Sequence, residues 1–400
     1  MGLNGTWLPI ALGCAAAVVL VLVVRGHSWG RRAWMQALSR LGLTALFTTL
    51  VLALVGALFN NEYAFYTSWG DLLGSSAEDT PQHYGASPAE TKSAALAQAG
   101  ASARQADTRP ATSASPSPSA VTTSPVSPGQ LPALPSPGAR LQKYDIPGPA
   151  RPDDRPSAAR KVYVRLPEGY DPHAARRHPV IVAMHGLPGT PESYSKLDHF
   201  YTRLDRAVAD GRIAAPIVVV PQLNRTPDDD GECVDAPSGL RTETWLASTL
   251  PTWVQHTLPV ARGRGSWATW GYSLGGWCAS MLTMKHPETF GAAVAYQGYL
   301  RPQFDGRPPF APDSPQARSY DLVALEKAHP VPVSMWLFAS DADTVSHPSV
   351  KAFLDVVQRP TDVTARIAPG GGHRLSVWTR RIPHSFDWLA QVQPGFAPHA

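Results

Sequence analysis

Two long apolar runs open the chain, Trp7–Val24 and Leu41–Phe59, and neither holds a charged residue. At ~1.5 Å of rise per residue a helix over either reaches ~27–29 Å, close to the ~30 Å hydrocarbon core of a bilayer. The pattern predicts two transmembrane helices, about residues 7–24 and 41–59, within an anchor covering 1–74. A cleaved signal peptide is the competing reading of the first run. It requires a basic segment ahead of the apolar one, and Met1–Thr6 has no charged side chain.

From residue 75 to 140 the pattern dissolves. The stretch is rich in Ala, Ser, Thr and Pro, with prolines at 116, 118, 125, 128, 132, 135 and 137. Apart from a possible short helix near Pro88–Arg104, no period of 2 or 3.6 appears. Too little apolar surface is available to offset ordering entropy, so 75–140 reads as a disordered linker, a stalk that lifts residues 141–393 off the membrane.

Periodicity returns over 141–393. Lys161–Leu166 alternates like a half-buried strand, and Pro179–Met184, Ala215–Val220, Trp267–Trp270, Ala292–Ala295 and Val333–Phe338 are short apolar runs of the buried-strand type. Helix-like stretches lie between them: Ser193–Asp210, Thr242–His256, Leu274–His286 and Ser349–Val357. Strands alternating with helices predict an α/β domain with a mostly parallel central sheet. Residues 394–400 form a tail.

Charge sharpens the anchor. The chain has 35 Lys and Arg, 31 Asp and Glu and a net charge of +4. Arg25, Arg31, Arg32 and Arg40 fall between the two apolar runs, whereas the flank after the second reads Asn60-Asn61-Glu62-Tyr63. The positive-inside rule makes the arginine loop cytoplasmic, so the N-terminus and residues 75–400 face outward. With the arginines assigned to the anchor, the remainder is near neutral and gives no support for nucleic-acid binding. Tyr63, Tyr66 and Trp69 are candidates for an interfacial aromatic belt, and Trp7, Trp29 and Trp34 for the same role elsewhere.

The chemistry centres on Gly271-Tyr272-Ser273-Leu274-Gly275-Gly276. A Gly-x-Ser-x-Gly sequence between a strand and a helix is a nucleophile elbow, whose tight turn exposes a serine hydroxyl at a helix N-terminus. Serine needs a base oriented by a carboxylate, here in the chain order Ser, acid, His. The predicted strand Val333–Phe338 runs into Ala339-Ser340-Asp341-Ala342-Asp343. Asp343 is preferred because it leaves the loop room to bend back, and Asp341 stands as the alternative acid. Glu326 and Asp355 sit on predicted helices and read as solvated. His373 follows the strand-like Val363–Ala368 on a glycine loop, Gly370-Gly371-Gly372, which suits the base. His347 and His384 are weaker rivals; His286, His329 and His399 read as structural or exposed. The oxyanion hole is assigned to the amides of Leu274 and of Leu187 in His185-Gly186-Leu187-Pro188-Gly189, with His185 fixing the loop.

With these motifs the region Leu141–Gln393 resembles the putative esterase family of α/β-hydrolases, which includes esterase D-like enzymes and the mycolyltransferases. The resemblance rests on His185-Gly186, the Gly271–Gly276 elbow and Gly371-Gly372-His373, with Val377-Trp378 and Ile382-Pro383 ahead of Phe386-Asp387-Trp388-Leu389. The anchor is similar to that of membrane-attached actinobacterial esterases over Asn60–Gly74. The resemblance implies an α/β-hydrolase fold with Ser273, Asp343 and His373 as its triad.

Of the three cysteines, Cys14 lies in the first apolar run. Cys233 and Cys278 would be outside the membrane, where thiols oxidise, so they are expected to pair and pin the loop Thr226–Pro237 beside the nucleophile. Asp228-Asp229-Asp230-Gly231-Glu232 lacks the rest of a calcium loop and reads as a solvated acidic loop or pocket rim, with no metal. Trp277 is a candidate wall for an acyl groove. No cofactor motif is present. The expected function is a membrane-tethered extracellular serine esterase acting on a small-molecule, lipid or glycan ester. A cell-envelope acyltransferase is the alternative, and a non-catalytic binding module the further one.

Overall fold

The computed structural model describes residues 5–26, 32–63, 66, 69–72, 79–107 and most of 134–398. Arg31, Leu73-Gly74, the stretch 108–133 that holds most of the linker prolines, Asp228 and His399 lie outside the described residues. The chain divides into two compact units. One comprises Met1–Asp79 with Ser340–Thr344 and Ile367–Val377, and the other the remainder from Thr80.

The first unit is built on two helices, α1 (Trp7–Val24) and α2 (Ala33–Tyr63). Both are long and apolar enough to cross a membrane. Their apolar side chains are largely uncovered by protein, among them Ile10, Val18, Leu41, Leu52 and Phe59. Asn61, near the end of α2, accepts from the Gly5 amide at 2.7 Å and donates back to the Gly5 carbonyl at 3.3 Å. The hairpin is thereby closed at one end. Helix α2 is longer than the predicted span 41–59. Its lead-in, Ala33–Arg40, is made of good helix formers, which extend the helix although hydropathy marks only its apolar middle.

In the second unit a sheet carries the fold. Its strands are β1 (Gln82–Gly85), β2 (Leu141–Ile146), β3 (Arg160–Arg165), β4 (Val180–Met184), β5 (Ile217–Pro221), β6 (Trp267–Tyr272), β7 (Ala292–Tyr296), β8 (Ser334–Ser340) and β9 (Asp362–Ala368). They lie in the order β1-β9-β8-β7-β6-β4-β5-β3-β2. The pairs β5–β4, β4–β6, β6–β7 and β7–β8 are parallel, whereas β3 runs antiparallel to β5, β2 to β3 and β1 to β9. Every residue of β4, β5, β7 and β8 is buried, which is why these strands read as unbroken apolar runs rather than alternating ones. Trp270 of β6 forms the aromatic centre, with Phe200, Tyr194, Tyr296 and Trp378 at ring separations of 4.9, 5.7, 5.2 and 5.9 Å.

Three expectations change. The predicted helix Ser193–Asp210 is two helices, Ser193–Lys196 and Phe200–Ala209, separated where His199 adopts a left-handed φ of 59°. Strand β2 is an addition to the predicted strands, on the antiparallel side of the sheet. The third concerns the linker, since β1 and the helix Pro88–Asp107 both fall within 75–140. Composition hides β1, an edge strand held by backbone pairing with β9 that leaves three of its four residues exposed. The helix begins with a capping box, in which the Ser87 amide donates to Glu90 Oε2 at 2.8 Å and the Glu90 amide to Ser87 Oγ at 3.4 Å. Thr91 and Ala95 are buried, and the helix packs on Ile382–Val392. The proline-rich segment therefore comes after β1 and this helix in the chain instead of separating the anchor from the sheet.

Candidate active site

Ser273 occupies the turn between β6 and the helix Leu274–Lys285, with φ 55° and ψ −125°. A non-glycine residue with positive φ is strained and persists only where its surroundings hold it. Here the Ser273 amide donates to the Tyr296 carbonyl of β7 at 2.9 Å, and the Ser273 carbonyl accepts from the Gly276 and Trp277 amides at 2.9 and 3.1 Å. The flanking glycines are steric requirements. A Cβ on Gly271 would strike the Gly275 carbonyl, and one on Gly275 would strike the Met184 carbonyl. The helix thus sits against the end of β4.

The loop after β4 lies beside the elbow. A Cβ built on Gly186 would fall 3.4 Å from Ser273 Cβ and 2.9 Å from the Tyr272 ring. Leu187 comes next in this loop, half-buried, while Leu274 is buried at the first position of its helix. His185 is fully buried. The Leu223 amide donates to its Nε2 at 3.3 Å, so the ring proton is on Nδ1 and is donated to the Gly186 carbonyl at 2.8 Å. Burial pushes its pKa down to about 4, which keeps it neutral, as its place in the loop requires.

In the other unit, Asp343 and His373 are brought together. Asp343 Oδ2 is 2.9 Å from His373 Nδ1, with the carboxylate fully buried and the imidazole partly exposed. Asp341 is exposed and turned to another task, accepting from the Gly370 amide at 2.6 Å. The glycine loop is tied again by Ser340, whose hydroxyl donates to the Gly371 carbonyl. Gly371 has a φ of 81°, and a Cβ there would meet Val377.

Cys233 and Cys278 form a disulfide with Cα atoms 5.8 Å apart, joining the loop before the helix Thr242–Thr244 to the helix that Ser273 caps. The acidic loop is not uniformly solvated. Asp229 pairs with Arg225 at 3.1 Å, but Glu232 is buried and accepts from the Tyr299 hydroxyl at 2.6 Å. Burial pushes the Glu232 carboxyl up to about 8, with Asp230 adding to the rise. Trp277 is fully buried and donates to the Glu232 carbonyl at 2.9 Å, so it is core and not an open groove wall. Glu326, read from the sequence as solvated, is also buried, accepting from the Gln358 amide at 3.1 Å and the Thr361 hydroxyl at 2.9 Å.

One cluster had no signature in the sequence. Glu243 is buried among Lys285 at 2.9 Å, His286 at 2.8 Å and the Tyr320 hydroxyl at 2.5 Å. Burial raises this carboxyl, but the His286 hydrogen bond, the Lys285 charge and the Tyr320 hydroxyl outweigh it and hold the pKa at about 2. Lys285 and His286 lie 42 and 43 residues from Glu243 along the chain, beyond the reach of any local pattern.

A mostly parallel central sheet with a strained serine at the turn between β6 and the next helix is an α/β-hydrolase fold. The chain belongs to the Putative esterase family, whose model matches residues 155–385. An uncharacterized protein of Corynebacterium glutamicum is 24% identical over 245 residues, which cover 58% of this chain and 57% of that one. The chain thus spans little more than half the length of this relative. Two solved structures share the fold. A ferulic acid esterase matches with a TM-score of 0.50 and 18% identity, covering 63% of this chain and 98% of its own. An S-formylglutathione hydrolase from Agrobacterium tumefaciens matches with a TM-score of 0.52 and 14% identity, covering 63% and 95%.

Proposed function

We propose that this protein is a membrane-tethered extracellular serine esterase whose triad is Ser273, His373 and Asp343. The observation that carries the reading is the 2.9 Å bond between Asp343 and His373 Nδ1, which leaves Nε2 as the nitrogen that can take a proton from serine. Ser273 Oγ attacks the ester carbonyl carbon as His373 takes its proton. The oxyanion of the tetrahedral intermediate is held by the amides of Leu274 and Leu187. His373 then passes the proton to the departing alkoxide, the alcohol leaves, and an acyl-enzyme on Ser273 remains. Water, deprotonated by the same imidazole, attacks the acyl carbon; the bond to Ser273 Oγ then breaks, the serine takes the proton back from His373, and the acid is released. Asp343 fixes the tautomer and stabilises the imidazolium.

The extracellular assignment is supported by the four arginines between α1 and the apolar run of α2 and the single acidic residue in the flank beyond that run. A reporter fused after residue 107 should be active outside the cytoplasmic membrane; activity only in the cytoplasm reverses the topology. For the chemistry, a serine-reactive phosphonate should label the native enzyme at Ser273 and leave Ser273→Ala unlabelled. A folded native enzyme that takes no label would sink the serine-hydrolase reading.

A further inference from the structure

The hairpin and the two loops that carry Asp343 and His373 belong to one compact unit. At the closed end of the hairpin Asn61 is clasped by Gly5. Its neighbour Asn60 holds Tyr66 by a pair of bonds, donating from Nδ2 to the Tyr66 carbonyl at 2.8 Å and accepting from the Tyr66 amide at 2.7 Å. The Tyr66 ring in turn lies under the Arg374 guanidinium, 4.4 Å from its centroid. A cation over an aromatic face is a specific attraction, strongest where water is excluded. Arg374 is bonded directly to His373. Two contacts and one peptide link therefore lead from the end of the apolar hairpin to the residue that Asp343 orients.

The sheet gives an independent indication. Strand β1 runs antiparallel to β9, with Gln82 opposite Ala365 and Gly85 opposite Asp362. Strand β1 therefore begins beside the end of β9 from which the backbone continues to His373. Only residues 64–81, 18 in all, separate α2 from β1. Trp7 and Trp69 are exposed at this end of the hairpin, the place of an interfacial aromatic belt.

We propose that the Asp343–His373 pair works at the outer membrane surface and that its substrate is an amphiphilic acyl ester resident in that leaflet. The substrate half rests on the esterase reading. A soluble ester gains nothing from a base held at the bilayer. A long-chain ester gains much, because each methylene that would otherwise leave hydrocarbon for water carries a free-energy cost. With the catalytic pair at the interface, the carbonyl reaches the enzyme while the acyl chain stays in lipid. Tyr66 and Arg374 are then positioning residues, not catalytic ones.

The test uses the full chain in phosphatidylethanolamine–phosphatidylglycerol liposomes. A donor dye on Leu375→Cys, in a Cys14→Ala background, reports transfer to rhodamine-headgroup lipid. Transfer should be strong and should fall at least tenfold when 40 Gly/Ser residues are inserted between Ser75 and Ser76 in a chain whose Tyr66→Ala change has released Arg374. Equal transfer with and without the insertion overturns the placement. On the unlabelled chain, the insertion should lower turnover of a fluorogenic long-chain diacylglycerol in the same liposomes at least tenfold. Turnover of p-nitrophenyl acetate in solution should stay unchanged. Equal lipid-ester turnover with and without the insertion overturns the substrate assignment. If the native chain turns over neither ester, the esterase reading fails and the substrate half with it, while energy transfer still decides the placement.

Discussion

Asp343 and Asp341 are two residues apart, yet only Asp343 faces His373, at 2.9 Å, while Asp341 receives the Gly370 amide at 2.6 Å. Burial separates them as well, since Asp343 is fully buried and Asp341 exposed. A carboxylate that holds an imidazole in one tautomer has to be the inner one. Asp343→Asn should lower kcat on a soluble ester by ~10³–10⁴-fold with a much smaller change in KM, as expected when a triad histidine loses its orienting acid. Asp341→Asn should stay within ~10-fold of the native enzyme. Steady-state kinetics on both variants decide, and a larger loss in Asp341→Asn would reverse the assignment.

The Glu232 carboxyl, raised to about 8 by burial, binds a proton in the folded state that the unfolded chain releases near pH 4.5. Its contribution to stability is fully present below about 4.5 and is lost as pH rises through about 8. Glu232→Gln removes that titration. Its melting temperature should match that of the native protein at pH 4.5 and exceed it at pH 8.5. A native melting temperature equally steep with and without Glu232 refutes the assignment.

Glu243 behaves in the opposite sense. Held at about 2 by His286, Lys285 and Tyr320, it contributes stability that is present above about 4.5 and lost as pH falls through about 2. Glu243→Gln leaves the largely buried Lys285 ammonium without its partner. Removing one member of a buried pair costs about 3–5 kcal/mol. Denaturant unfolding at pH 7 should show a loss of that order, and acid unfolding between pH 4.5 and 2 should become shallower.

Cys233 and Cys278 close a loop across 45 positions. In the chain-entropy description a cross-link of that span stabilises by about 4 kcal/mol. The Cys278→Ser variant should unfold at a lower denaturant midpoint by that measure. Dithiothreitol should bring the native protein down to the same midpoint.

Gly275 has no room for a side chain, because a Cβ would collide with the Met184 backbone at the end of β4. Gly275→Ala should lower ester turnover by at least ~10²-fold, since small displacements of reacting groups are enough to do so. Far-ultraviolet circular dichroism should show whether the sheet survives. Gly306→Ala, where nothing lies within 4 Å of the added Cβ, serves as the control and should be neutral.

Much of the fold was legible because its information is local. Strand β4 is apolar at every position, and β8 and β9 are short runs ended by Gly- or Asp-bearing loops, so strand positions and the elbow could be read directly. What escaped was held by contacts that leave little trace in one stretch of sequence. Strand β1 shows no side-chain pattern because it contributes backbone bonds at a sheet edge. Glu232 and Glu326 look like surface acids, and only the partners folded around them make burial tolerable.

The sequence by itself determined the apolar hairpin, the alternation that yields a parallel sheet, and a serine flanked by glycines at a strand–helix turn. Each arises from short-range sterics or from the hydropathy of consecutive residues. Only the tertiary structure decided which of two neighbouring aspartates meets His373, and that the chain after the anchor joins the sheet within 18 residues. Those are pairings between segments far apart in the chain, and their geometry exists only once the sheet has set the register of its strands.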